Sequence, residues 1–239
     1  GFNIDDFAAN INRSDTDFVA WNFRAAPKFF DIQTWTGTDG QRRILNHNLT
    51  TTPGFIICKS CSQSGTQWYI YHKDLGLDRY LSFTTSGAAD STGSWNSITD
   101  TTWGVGTTAN LNAAGREHVA YLFADEPGLI KCGSYDPTGG VPYSVNVGFK
   151  PQWILIKSSS DNSTDWILSD DKRPGGLFAE LPNKESTTQY VEYTETGFNI
   201  ISGNASSYKE GSTFIYVAIA APTVRNLTQE EVNATKLLF

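Results

Sequence analysis

Methionine is absent from this chain of 239 residues, and cysteine, histidine and charge are all scarce: three Cys, three His and 18% Asp, Glu, Lys and Arg. Each shortage removes a class of function. Cys58, Cys61 and Cys132 are too few and odd in number for a disulfide framework, and Cys58-Lys-Ser-Cys61 has no second ligand pair to complete a zinc site. In Ile56-Ile57-Cys58-Lys59 the cysteine reads as a small hydrophobe in a strand. His47, His72 and His118 do not stand at ligand spacing, and no nucleophile elbow, zinc-protease helix or phosphate loop accompanies them. Adjacent acids such as Asp125-Glu126 and Asp170-Asp171 point apart in a strand or loop, so they read as solvated turn charge. The sequence therefore reads as non-enzymatic, with no metal and no cofactor. Basic residues never cluster beyond Arg42-Arg43 and the net charge is −7, which argues against a nucleic-acid partner. No apolar run approaches the ~18 residues of a membrane span, and no signal peptide opens the chain. A chain without Met that opens on Gly1-Phe2-Asn3-Ile4 reads as a processed product or an excised piece.

Aromatics are plentiful instead, with seven Trp, ten Tyr and fourteen Phe set among Ser, Thr, Asn and Gly. That mixture suits pleated, half-buried surfaces joined by short turns. The chain also repeats itself. Pro53-Gly-Phe-Ile-Ile-Cys-Lys59 matches Pro151-Gln-Trp-Ile-Leu-Ile-Lys157, and Trp68 and Trp166 follow at the same distance. Phe30-Asp-Ile-Gln-Thr-Trp35 parallels the stretch ending Lys131-Cys-Gly-Ser-Tyr135. A closing segment occurs three times, ending at Pro27, Pro127 and Pro222, so the period is near 95–100 residues. This divides the chain into a closing hairpin of a preceding or incomplete repeat (1–27), two full repeats (28–127 and 128–222) and a tail (223–239).

Short apolar runs bounded by turns, such as Phe55-Ile-Ile-Cys58 and Trp153-Ile-Leu-Ile156, suit strands buried on both faces. Phe18 to Phe23, His118 to Phe123 and Phe214 to Ile219 read as strands as well, each reached through a hairpin tip: Asn12 to Thr16, Asn112 to Glu117 and Ser206 to Gly211. Turn signals every ~8–12 residues without amphipathic helices predict an antiparallel β-sandwich for each repeat. Thr228-Gln-Glu-Glu231 is a capping box that predicts a short C-terminal helix.

Aromatic positions filled in both repeats, such as Trp103 and Phe198, suit core slots. Trp95, in Gly93-Ser-Trp-Asn, has no such mate, and with Tyr80 and Tyr208 it is a candidate exposed platform for a sugar. Arg116 and Glu117 complete the candidate ligand-binding set, because the tips differ between copies while their strands match.

The stretch Phe18-Val-Ala-Trp-x-Phe-x-Ala-Ala-Pro-x-Phe-Phe-Asp31, with Pro53 to Lys59, Lys131 to Tyr135, Gly148 to Lys157 and Trp68 before Tyr71-His72, resembles a repeat of uncharacterised structural, fibre-like proteins of marine tailed bacteriophages. The resemblance covers most of residues 1–222. It implies a virion-surface, extracellular location and a tail-fibre or adhesin module binding a host glycan or receptor. The alternative is a purely structural decoration or connector subunit that binds other virion proteins. Either would be a homo-oligomer, with a trimer as one form, and would not insert into membranes.

Overall fold

In a computed structural model the chain is all-β; the residues described are 16–38, 40–83, 89–91 and 93–221. The first half runs β1 (Phe30–Thr36), β2 (Arg43–Asn46), β3 (Pro53–Ser60), β4 (Tyr69–His72), a 3-10 turn (Lys73–Leu75), β5 (Arg79–Tyr80), β6 (Asp90–Ser91), β7 (Trp95–Ile98), β8 (Thr102–Val105), α1 (Ala109–Asn112) and β9 (Glu117–Ala124). The second half runs β10 (Ile130–Tyr135), β11 (Tyr143–Asn146), β12 (Pro151–Ser158), β13 (Ile167–Asp170), β14 (Leu177–Phe178), β15 (Val191–Thr194), β16 (Gly197–Ile200) and β17 (Phe214–Ala220). Strand order is β1-β9-β3-β4 and β2-β8-β7 in the first half, and β10-β17-β12-β13-β14 and β11-β16-β15 in the second. The short ribbon β5-β6 stands apart, and every pairing is antiparallel.

The register recurs between the halves. Phe30 faces Phe123 in the first large sheet, and Ile130 faces Ile219 in the second. In the small sheets Asn46 faces Thr102 and Asn146 faces Gly197. One irregularity is shared as well, between Pro53 and Phe55 and between Pro151 and Trp153. Turn backbones agree even where the side chains do not. Lys28 (φ 64°) and Thr50 (φ 59°) adopt the left-handed conformation that Gly128 (φ 76°) and Gly148 (φ 85°) adopt at the matching positions. A side chain there is disfavoured. Lys28 is held by its amide, which donates to the Leu49 carbonyl, and by its ammonium, 2.8 Å from Glu126.

Alternation along the strands explains the apolar runs. On β17, Phe214, Tyr216 and Ala218 face a core shared with β11, β15 and β16, where Phe198 lies edge-on to Tyr216 at 5.4 Å. Ile215, Val217 and Ile219 point the other way, into a core shared with the first half. Trp153 and Leu155 of β12 join them, while Ile154 and Ile156 turn inward. The two large sheets thus back onto each other, so their central strands have no solvated face. Hydrogen bonds cross this joint: His72 Nε2 donates to the Tyr216 carbonyl at 3.0 Å, and Trp166 Nε1 to the Ser82 carbonyl at 2.9 Å. Gly54 allows close approach, since a Cβ there would lie 2.7 Å from Cys132 Sγ.

Three expectations change. The tips before β9 and β17 are not hairpin turns, because β8 and β16 belong to small sheets and β9 and β17 to large ones, so the chain crosses between layers there. Residues 16–25 form no strand with any described residue, although they carry the β9 pattern. A strand needs a neighbour to satisfy its backbone groups, and the described residues supply none beside this segment. The Thr228–Glu231 helix, most of the 1–27 hairpin and nearly all of the Asn12–Thr16 tip lie outside the described residues.

Candidate functional site

The aromatic platform expected at Trp95 and Tyr80 is overturned by burial. Trp95 is 4% exposed, opens β7 opposite Val105, and donates Nε1 to the Arg79 carbonyl at 3.0 Å. Its register mate in the second half is Val191, which faces Ile200 on β16 as Trp95 faces Val105 on β8. An aliphatic mate hides a core slot from an aromatic comparison. Tyr80 is 9% exposed and stacks on Tyr69 at 4.2 Å, so its ring face is taken. Tyr208 is half-buried on the tip before β17, where its hydroxyl accepts from the Gly140 amide at 2.5 Å and donates to Glu210 at 3.2 Å. Glu117 is exposed and accepts from the Thr36 hydroxyl at 2.7 Å; Arg116 beside it accepts from the Gly37 amide through its carbonyl. Tyr80 and Trp95 share a neighbourhood through Arg79, and no described contact joins them to Tyr208, Arg116 or Glu117.

The structure offers a different site. The segment 16–25, unpaired among the described residues, lies along the outer part of the joint, and between it and the second half is a cleft of about 580 Å³. One wall is residues 19–24; the other is Gln152 and Trp153 of β12 with Asp170 to Arg173 at the end of β13. Trp21 fastens the segment: its Nε1 donates to Asp170 Oδ2 at 3.3 Å, and the Arg173 guanidinium lies 5.4 Å over its ring. Phe23 packs edge-on against Trp153 at 5.8 Å and Phe123 at 5.4 Å, bridging the halves.

Electrostatics fix Asp170 as an anion. Burial opposes its ionisation, but Arg173, the Lys172 amide and Trp21 together outweigh that and hold its carboxyl below the ordinary value. Arg173 reaches one carboxylate oxygen from Nε at 3.0 Å and Nη2 at 2.7 Å. A carboxylate so committed is a poor base. Trp153 is the opposite case. Its Nε1 is buried and has no acceptor among the described residues, a cost the fold bears at the edge of the cleft. Elsewhere the histidines are tied into the frame. His72 also accepts from the Asp74 amide at 3.2 Å, His47 holds the Leu49 amide and the Thr99 carbonyl, and His118 stacks on Trp35 at 5.0 Å. No group of three or more His, Cys, Asp or Glu among the described residues converges on a metal position.

With the fold and the cleft in view, comparison with known families is direct: a model of a domain of unknown function, DUF7483, matches residues 1–222. The chain belongs to the DUF7483 family. The match spans both halves and the opening segment together, so for this family the segment and the two sheet pairs are one unit of description. No curated protein and no solved structure matches the chain.

Sequence reasoning passed over the cleft of this DUF7483 chain because its parts looked ordinary. Asp170-Asp171 read as solvated turn charge and Trp21 as a strand residue. Only the offset that carries His72 onto Asp170 marks the position as one that, in the first half, lies inside a joint.

Proposed function

We propose that this chain is a non-catalytic structural module of a virion surface, built as a tandem of two β-sandwich units, 28–127 and 128–222, that docks other proteins of the particle. The cleft carries this reading. The two units share a core through their large sheets, and at its outer end, beside Gln152, Trp153 and Asp170 to Arg173, the second unit is covered among the described residues by the single segment 16–25. Recurring register, bulges and turn conformations support the two-unit division. Burial of Trp95 and Tyr80 removes the main aromatic platform that a glycan would need, and so favours the connector over the adhesin. The virion setting rests on the sequence resemblance alone.

One observation favours the adhesin as a second reading. At the tip before β17 the rings of Tyr143 and Tyr208 lie 6.4 Å apart beside Glu210, an arrangement of half-open aromatic faces and an acceptor that suits a sugar. A binding assay on the purified chain separates the two. Glycan arrays and host cells are tested beside the purified proteins of the particle, with the mass in solution measured throughout. Association with particle proteins without saturable glycan binding is expected. Saturable binding to one glycan, lost in Tyr208→Ala, would replace the connector with the adhesin.

A further inference from the structure

The walls of the cleft are the second half's versions of residues that the first half keeps covered. Gln152 stands where Gly54 stands, Trp153 where Phe55 stands, and Asp170 where His72 stands. Asp171, Lys172 and Arg173 take the places of the Lys73–Leu75 turn. Val19 to Arg24 match Val119 to Ala124 of β9 and Ile215 to Ala220 of β17.

In the joint between the halves, two neighbouring strands cover the first-half set. β17 brings the Tyr216 carbonyl to His72. β10, hydrogen-bonded along β17, lays Cys132 against Gly54 and lies along the Lys73–Leu75 turn. At the cleft the first of these strands has its counterpart in residues 19–24, although the contact differs: the side chain of Trp21, the match of Val217, donates to Asp170, whereas the main-chain carbonyl of Tyr216 accepts from His72. The second has none among the described residues. The cleft lies where it would run, beside the backbone of residues 17–24, which pairs with no described residue.

The complementary half of the joint is on the same molecule. β1 is the repeat mate of β10 and, among the described residues, an edge strand bonded only to β9. Ile32, the counterpart of Cys132, is 47% exposed where Cys132 is 0%. An apolar residue on an open edge beside unpaired backbone is the material of β-augmentation.

Resting on the docking role proposed above, we infer that the cleft is a strand slot and that its occupant is the edge strand β1 of a second copy of this chain. That strand runs antiparallel to residues 17–24, takes up the amides and carbonyls that no described residue pairs, and places Ile32 against Gln152 as Cys132 lies against Gly54. The contact is heterologous, one face of one copy meeting a different face of the next.

Hydrogen exchange read by mass spectrometry on the purified full chain, over a concentration series with mass measured by sedimentation, tests this directly. Dimers or longer series are expected at high concentration, with protection rising across residues 17–24 and β1 together. Ile32→Lys, on an exposed position that leaves the fold intact, is expected to weaken association at least tenfold. A peptide of residues 127–137 should protect residues 17–24 and compete with self-association, and a scrambled peptide should do neither. Protection by the peptide in a chain that stays monomeric would overturn the second copy as the occupant. Exchange at 17–24 that ignores both concentration and peptide would overturn the slot itself. Because the purified chain is tested alone, that failure leaves association with other particle proteins standing, whereas a glycan lost in Tyr208→Ala would remove the docking role and not the slot.

Discussion

Acidification from pH 7 to pH 4 should loosen the joint between the halves, through His72. The ring is fully buried and held as the neutral tautomer, donating from Nε2 to Tyr216 and accepting at Nδ1 from the Asp74 amide. Burial pushes its pKa from 6.5 down to about 4, against the upward pull of the Tyr216 carbonyl and the Asp74 and Asp125 carboxylates; Lys73 adds to the downward push. A second proton would have to go on Nδ1, which faces a donor. The folded pKa therefore lies below the unfolded one, and between the two the unfolded chain binds a proton that the folded chain refuses. Stability falls as pH drops through 6.5, and the loss is complete near pH 4. At 1.36 kcal/mol per unit, this shift corresponds to about 3 kcal/mol. The assay is denaturant unfolding of wild type and His72→Gln at half-unit steps from pH 7.5 to 4. The variant keeps a donor and an acceptor without titrating in this range. His118 and the carboxylates contribute to both curves, so the difference between them isolates His72. Equal pH slopes in the two proteins would refute the reasoning.

Two other substitutions test the packing. Trp95→Ala removes a core indole and should cost about 3–5 kcal/mol in denaturant unfolding; a loss under 1 kcal/mol would return Trp95 to the surface. Gly54→Ala sets a Cβ within 2.9 Å of both Cys132 and Asp125 in the joint, and overpacking of that kind costs about 1–3 kcal/mol by the same measurement. An unchanged midpoint would mean that the halves sit further apart than described.

How much of this could be read in advance depends on what each residue advertises. The runs Phe55 to Cys58 and Trp153 to Ile156 announced strands buried on both faces because a sheet covered on both sides leaves no polar alternation. Trp103 and Phe198 announced a shared core slot because both are aromatic, and they are 0% and 1% exposed. Trp95 misled for the complementary reason: its slot accepts Val191 in the other half, so matching by residue type missed it. Which sheet a strand joins was illegible too, since β8 and β9 are both apolar and only the crossing after α1 separates them. Residues 18–23 show the limit most clearly. They carry the β9 pattern and take no strand, because pairing belongs to neighbours and not to the segment. The cleft was hidden because Asp170 and Arg173 are common surface residues until Trp21 is placed upon them.

The place of the closing strand bears on the order in which the molecule assembles. In each large sheet the position next to the first strand belongs to the last strand of its half: β9 enters between β1 and β3, and β17 between β10 and β12. As the polypeptide leaves the ribosome, the flanking strands of a half, ending at Ser60 or Ser158 at the latest, are made well before the strand that must join them, which starts at Glu117 or Phe214. Neither can pair with the other across the vacancy, so the sheet stays open until translation of the half is complete. Folding dominated by such distant pairings is slow, because loop closure comes before any contact rewards it. During that interval two unfilled sheet edges are exposed, and the final event in each half is the insertion of one strand that zips both at once.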